Sequence, residues 1–339
     1  MQQANGALDS PHFCPEFVRL VAEERDQIEV AVLQDSAGPV GFFPYYRDRA
    51  DVGRPVAGSF SDFQGIICSS ALQWDPLELL RECDLSAWFF DHLLASQAPM
   101  CKHHLATSLS PYLDLSAGFE AYRAERRKAG SDELREVLRK SRKIEREVAP
   151  LRFEPCSQDK KALDVLVRWK REQLQSLGLQ DCFSEHWVLP MLERVALYRG
   201  ERFSGMLSTL YVGDELLAVT LGMRSERVLH GWVTAFNRHY RKFSPGLMLI
   251  VKLAHAAESL GIHRIDMGRG NESFKRSFAS GAITLAEGAL DRRLVPRMLT
   301  RGWICAKELV RGTSLDAPAR RFLEHVRYPW IGRPRVGNH

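Results

Sequence analysis

Long apolar runs are missing from this 339-residue chain. A bilayer span needs ~20 residues, and the nearest stretch, Leu247 to Leu260, is interrupted by Lys252, His255 and Glu258. The start, MQQANGALDS, has neither a basic nor an apolar segment, so no export signal is expected and a cytoplasmic location is. Cysteines are few: seven, odd in number, scattered and without a CxxC pair. That pattern excludes a disulfide framework and reads as reduced thiols, mostly core filler. "CKHH" at 101–104 has ligand atoms but no second pair at a recognisable spacing, so no metal is expected. Neither a Ser-His-Asp order nor a nucleophile elbow is present.

What is present is an ordinary globular composition, 45% hydrophobic and 26% charged, long enough for two domains. The net charge of +5 is unevenly spread. Residues 291–339 hold eleven Arg or Lys against four acids. Within that basic tail, 292–311 is amphipathic, with Arg293, Arg297 and Arg301 on one side and Met298, Trp303 and Ile304 among its apolar residues. Such a segment packs over a domain, or lies on an anionic membrane or a partner enzyme.

The first hundred residues read as mixed α/β. Strands are expected at 28–34, 39–47 and 87–94, with a short helix at 76–83. From Phe119 to Val148 the chain turns helical and highly charged, broken at Gly130-Ser131. Leu134, Val137, Leu138, Ile144 and Val148 make an apolar face there, beside a stripe of Arg135, Arg139, Arg142 and Arg146. The stripe is either a solvated face balanced by acids or an anion-binding wall, with Arg139 and Arg142 facing substrate.

A second α/β unit follows. Helices at 158–176 and 184–199 precede strands at 203–212, 215–223 and 227–236. A helix over 245–260, a strand at 263–267, a short helix near 272–279 and a strand at 282–289 complete a βββαβαβ order. The stretch "YRKFSPGLML" opens the long helix. Ser244 suits the N-cap and Pro245 the first helical position, while Gly246 leaves the amides approachable. Leu247, Ile250, Ala254, Ala257 and Leu260 are expected to face the sheet. Free N–H groups and the helix dipole then favour an anion, aided by Arg238, Arg241 and Lys242.

The βββαβαβ order with this loop resembles the GNAT acyltransferase fold. More closely, "YRKFSPGLML" and "RIDMGRGNESFK" resemble the CelD/BcsL-like acetyltransferases of polysaccharide genes, distant relatives of the Fem ligases with their two GNAT-like domains. The resemblance covers roughly residues 10–290, with faint support in "CPEFVRLVA" and "SDFQG". It implies an α/β (α+β) fold of two GNAT-like domains, each a mixed, mostly antiparallel sheet flanked by helices. The boundaries are an N-terminal domain at 1–115, a charged helical connector at 116–150, a C-terminal acyltransferase domain at 151–290 and the tail at 291–339.

In that family a loop reading Arg/Gln-x-x-Gly-x-Gly/Ala grips the pyrophosphate of coenzyme A. Here Arg241, Ser244 and Gly246 fall on its defined positions, with Lys242 and Leu247 beside them; Ser replaces the first Gly, and Pro245 removes a donor. The implied donor is acetyl-CoA or another acyl-CoA. For acyl transfer, Asp266, Glu272 and His230 are candidate bases and Tyr240 a candidate proton donor to the thiolate. His230 equally suits a core role, Asp266 a turn, and Tyr240 simple packing. Lys170, Arg269 and Lys275 would face an anionic acceptor, by resemblance a sugar or polysaccharide precursor. Two further readings stand. One is a Fem-like amide ligase using aminoacyl-tRNA; the other is a silent scaffold in polysaccharide biosynthesis. DNA is not an expected partner.

Overall fold

The computed structural model describes Gln2 and residues 5–293. In chain order its elements are α1 (Pro15–Ala22), β1 (Ile28–Asp35), β2 (Gly38–Arg47), β3 (Val52–Arg54), β4 (Ile67–Cys68), α2 (Pro76–Glu82), β5 (Ala87–Leu94) and β6 (His104–Asp114). There follow α3 (Phe119–Lys128), α4 (Glu133–Glu147), β7 (Leu151–Glu154), α5 (Lys160–Ser176), α6 (Val188–Leu197), β8 (Ser204–Val212), β9 (Glu215–Arg224) and β10 (Val228–Phe236). The last are α7 (Pro245–Ala256), β11 (Arg264–Asp266), α8 (Ser273–Phe278) and β12 (Gly281–Asp291). The βββαβαβ order therefore runs β8 to β12. No helix among the described residues is long and apolar enough to cross a membrane. The amphipathic reading of the tail lies, from 294 onward, outside the described residues.

The chain divides into two compact units, but not at residue 115. One unit joins the described residues up to Asp26 to Ser108–Leu285; the other comprises Gln27–Thr107 and the described residues from Ala286 to 293. The segment 116–150, expected to be a connector, belongs to the first unit. Leu134, Val137 and Ile144 of α4 are buried in the same cluster as Met248, Leu249 and Leu253 of α7. Burying each such side chain contributes about 1.5–3 kcal/mol, so α4 is held by its apolar face however charged its outer one. Val148, expected on that face, is exposed.

In the smaller unit β1-β2-β3-β5 lie side by side, and β4 pairs with β2. Its core gathers Phe43, Trp88 and Phe90 with Leu80, Leu93 and Leu290. The larger unit carries the order β6-β11-β10-β9-β8-β7. All neighbours are antiparallel except β10 and β11, which run parallel. β8 and β9 are buried along nearly their whole length, which requires cover on both faces. Helices α5, α6 and α7 supply it. Gly205 in β8 permits one of these approaches: a Cβ there would stand 1.7 Å from the Val195 carbonyl oxygen of α6.

Of the face expected for helix α7, Ala254 and Ala257 are buried, while Leu247 and Ile250 are only partly covered; Pro245, Met248, Leu249, Val251 and Leu253 are its other buried residues. α7 ends at Ala256, short of Leu260, and the chain turns through Gly261 at φ +66°.

Candidate active site

The parallel pairing of β10 with β11 stops at His230↔Asp266, where β11 ends and β10 continues. A bulge interrupts β10 between His230 and Val233. Where the two strands cease to pair lies a cavity of about 510 Å³, bounded by β8–β11, α5, α7 and α8. Gly231, Trp232, Thr234 and Phe236 form its β10 wall, and Leu247 and Ile250 of α7 form another. The two α7 residues left partly exposed are thus exposed to this cavity.

Of the expected site residues, Asp266, Glu272, Arg241, Ser244, Gly246, Leu247, Lys170 and Lys275 line the cavity. His230, Tyr240, Lys242, Arg139, Arg142 and Arg269 do not. Each departure has a local cause. The bulge breaks the alternation expected to group His230 with Trp232; His230 is instead fully buried, its ring edge-on to His12 at 4.7 Å. The Tyr240 hydroxyl donates to Glu215 at 2.7 Å, and that bond holds the phenol's pKa above its ordinary value. Lys242 is exposed with its ammonium over the Phe243 ring at 4.9 Å. Arg139 is 63% exposed and bound to Glu136 through contacts of 2.6 and 2.8 Å. Arg142 is exposed on the same face, and Arg135 and Arg146 are paired with Asp132 and Glu147. The stripe is a solvated face. Arg269 is half-buried, and its carbonyl accepts from Lys275 at 2.9 Å.

The loop before α7 is built differently from its expected cap. Ser244 occupies the N-cap position at φ 60°, ψ 56°, in the left-handed region, and its side chain makes no cap hydrogen bond. Capping needs an extended backbone at that residue; here the hydroxyl is turned aside and accepts from Lys140 Nζ at 3.0 Å. The amides of Leu247 and Met248 both point to the Ser244 carbonyl, each at 3.1 Å. Pro245 has no N–H, and the Gly246 amide, like any in a first turn, has no acceptor within its helix. A Cβ on Gly246 would lie 3.4 Å from Phe236 Cδ1, pressed against the cavity wall.

Asp266 is 1% exposed and fixed from below. Arg264, two residues earlier on the same face of β11, donates to it through Nε at 2.8 Å. The other edge of that guanidinium grips Asp9 through two contacts of 2.6 Å. The two acids act together to raise the Arg264 pKa despite its burial. Asp9, by contrast, has its carboxyl pKa raised by burial, only partly offset by Arg264.

At the rim, Lys275 donates to the carbonyls of Gly268 and Arg269 at 3.3 and 2.9 Å and pairs with Glu272 at 3.4 Å. Gly268, at φ 70°, makes the turn that presents its carbonyl. Lys170 of α5 faces the same cavity, bonded to Gln173 Oε1 at 3.2 Å. Burial lowers its ammonium pKa, and the nearby Lys275 charge adds to that.

Asp9, Arg264 and Lys140 were missed as site residues. Arg264 and Asp266 share a strand face at i, i+2, which is readable in sequence. Lys140 lies three residues after Val137 and four before Ile144, among the core positions of α4, which was also readable. Nothing local marks Asp9.

Residues 131–276 match the family model described as acetyltransferase (GNAT) domain. No curated protein matches the chain. Among solved structures, the C-terminal domain of a putative lysylphosphatidylglycerol synthetase from Agrobacterium fabrum is similar, with TM-score 0.51 at 13% identity over 85% of this chain and 95% of that one. FemX is similar with TM-score 0.51 at 9% identity, covering 81% and 90%. A conserved protein of unknown function from Bacteroides thetaiotaomicron gives TM-score 0.50 at 10% identity, covering 84% and 90%. The fold is a GNAT-like mixed α/β fold with a mostly antiparallel sheet flanked by helices.

Proposed function

We propose that this protein is an acyl-CoA-dependent acyltransferase of the CelD/BcsL-like kind, moving an acyl group to an amine or hydroxyl of a sugar or polysaccharide precursor. The observation that carries this reading is the cavity at the end of the β10/β11 pairing, walled by the loop at 241–247 on one side and by Asp266, Glu272 and Lys275 on the other. The donor's phosphates fit the loop: Arg241 supplies charge, the start of α7 supplies an amide and its dipole, and Gly246 has no side chain to obstruct them. The bound thioester supplies an activated acyl carbon. The acceptor must lose a proton as it attacks that carbon, and the departing sulfur must be stabilised.

Two carboxylates line the cavity. Asp266 is held by Arg264 through the 2.8 Å bond from Nε, a fixed position suited to orienting the acceptor. Glu272 at the rim is the carboxylate we assign to accept the proton. Lys170 and Lys275 draw an anionic acceptor towards the mouth. The RNA-dependent reading would use the arginine stripe and the basic tail; three of the four stripe arginines are paired with acids, and the tail from 294 onward lies outside the described residues.

The test is calorimetric titration of acetyl-CoA and free coenzyme A into wild type and Gly246→Val. A Val here should obstruct the phosphates and lower affinity at least about tenfold, the range of one or two lost charge-assisted hydrogen bonds. The melting temperature should fall little, since Val at a helix start costs well under ~1 kcal/mol. Unchanged affinity in a folded variant would remove the loop from the donor site.

A further inference from the structure

We propose that Lys140 of α4 is a phosphate-binding residue of the donor site, reaching across to the loop at 241–247 and supplying the donor that Pro245 lacks. The inference rests on the acyl-CoA reading above.

Lys140 belongs to the inner side of α4, not to its arginine stripe. It follows Val137 by one turn and precedes Ile144 by another, both fully buried. Its side chain is 23% exposed, and its Nζ lies 3.0 Å from Ser244 Oγ. The nearest carboxylate, Glu136, is 3.9 Å away, beyond hydrogen-bond range, and both its oxygens are already held by Arg139. An ammonium has three N–H groups; among the described residues only Ser244 Oγ accepts one. A largely covered cation whose one hydrogen-bonded partner is a neutral hydroxyl, with its nearest carboxylate 3.9 Å away, gains from an anion that joins it.

The contact also orients Ser244. A hydroxyl offers one donor and two lone pairs. With Lys140 donating into one lone pair, the O–H hydrogen is left to donate elsewhere, towards whatever lies at the start of α7. The left-handed backbone that spoils Ser244 as a helix cap is what turns its oxygen to Lys140. Ammonium, hydroxyl and the Gly246 amide then converge on one anion, with Arg241 beside them in the cavity wall. The family pattern would have Gly where Ser244 stands, and such a loop would have no hydroxyl for a lysine to hold.

The experiment compares coenzyme A with pantetheine, which keeps the arm but lacks every phosphate. Coenzyme A is titrated by calorimetry and pantetheine by ligand-observed NMR, on wild type, Lys140→Gln, Lys140→Met and Lys140→Arg. Gln can still donate to Ser244 but carries no charge, so it separates a phosphate contact from a structural one. We expect Gln and Met to weaken coenzyme A about tenfold, as for one charge-assisted bond. Arg should retain most of the affinity, and pantetheine binding should be unchanged throughout. Should Met fail to fold, Gln carries the comparison. Equal coenzyme A affinity in wild type and Lys140→Gln overturns the inference while leaving the donor reading intact. Parallel loss of coenzyme A and pantetheine also overturns it, showing that Lys140 only shapes the loop. A wild type that binds no coenzyme A overturns both.

Discussion

Arg264 and Asp9 meet through two N–H···O contacts of 2.6 Å although 255 residues of sequence separate them. The same guanidinium holds Asp266, so one cation serves two carboxylates beneath the cavity. Arg264→Met would leave both acids without their counter-charge, and Asp266 has almost no access to water. We expect a loss of about 3 kcal/mol, the scale for breaking a buried pair from one side. Asp9→Asn combined with Asp266→Asn should recover most of it. Urea unfolding of the single and triple variants decides; an additive triple variant would deny the coupling.

Asp9 also sets a pH dependence. Burial raises its folded-state pKa above the ordinary 3.8. The folded chain therefore takes up a proton at Asp9 more readily than the unfolded chain, and the stability linked to that proton is full below 3.8 and is lost as pH rises through the folded value. Melting temperatures measured from about pH 3.5 upward should carry this downward term in wild type and lack it in Asp9→Asn. Identical profiles would refute it.

Ser244 sets two effects against each other. A left-handed conformation costs an L-residue about 1–2 kcal/mol, and the hydrogen bond from a charged lysine returns a similar amount. Ser244→Ala keeps the strain and loses the bond; Ser244→Gly loses both. Glycine should therefore be the more stable variant by about 1 kcal/mol, and nearly as stable as wild type. Equal denaturant midpoints for Ala and Gly would show that the loop carries no strain.

Lys170 should behave as a residue kept for binding at a cost in stability. Its folded pKa lies below 10.5, so the charged form is penalised at neutral pH, and the penalty fades as pH rises towards that value. Lys170→Met should melt higher than wild type near neutrality and lose wild type's rise in stability on the alkaline side. Turnover of any acceptor should fall at the same time. A lower melting temperature at neutral pH would contradict this account.

Most strands and helices were legible because their signals are local. Turn residues marked β1 with β2 and the β8–β9–β10 meander, and an apolar run marked β5. β3, β4 and β7 were not legible: they are short, and their pairing partners decide them. Arg241, Ser244 and Gly246, which line the cavity, were singled out from helix-start chemistry, whereas Lys242, singled out with them, does not line it. His230 and Tyr240 were misplaced because a bulge and a carboxylate on a neighbouring strand, neither visible locally, set their directions. The arginine stripe attracted attention by its regularity, yet regular spacing on the outer face of a helix is what solvent permits. The lysine that reaches the loop stood among core positions and was passed over.

The larger unit is assembled from a leading segment and a distant one, with residues 27–107 inserted between them. Its completion therefore waits on contacts of very high sequence separation, of which Asp9 with Arg264 is one. Closing so long a loop slows folding more than it weakens the folded state. During synthesis Asp9, His12 and Phe17 emerge early and remain without their β10 and β11 partners until nearly the whole described chain has been made. A fragment beginning at Ser108 would contain every cavity-lining residue and leave Arg264 with only one of its two acids.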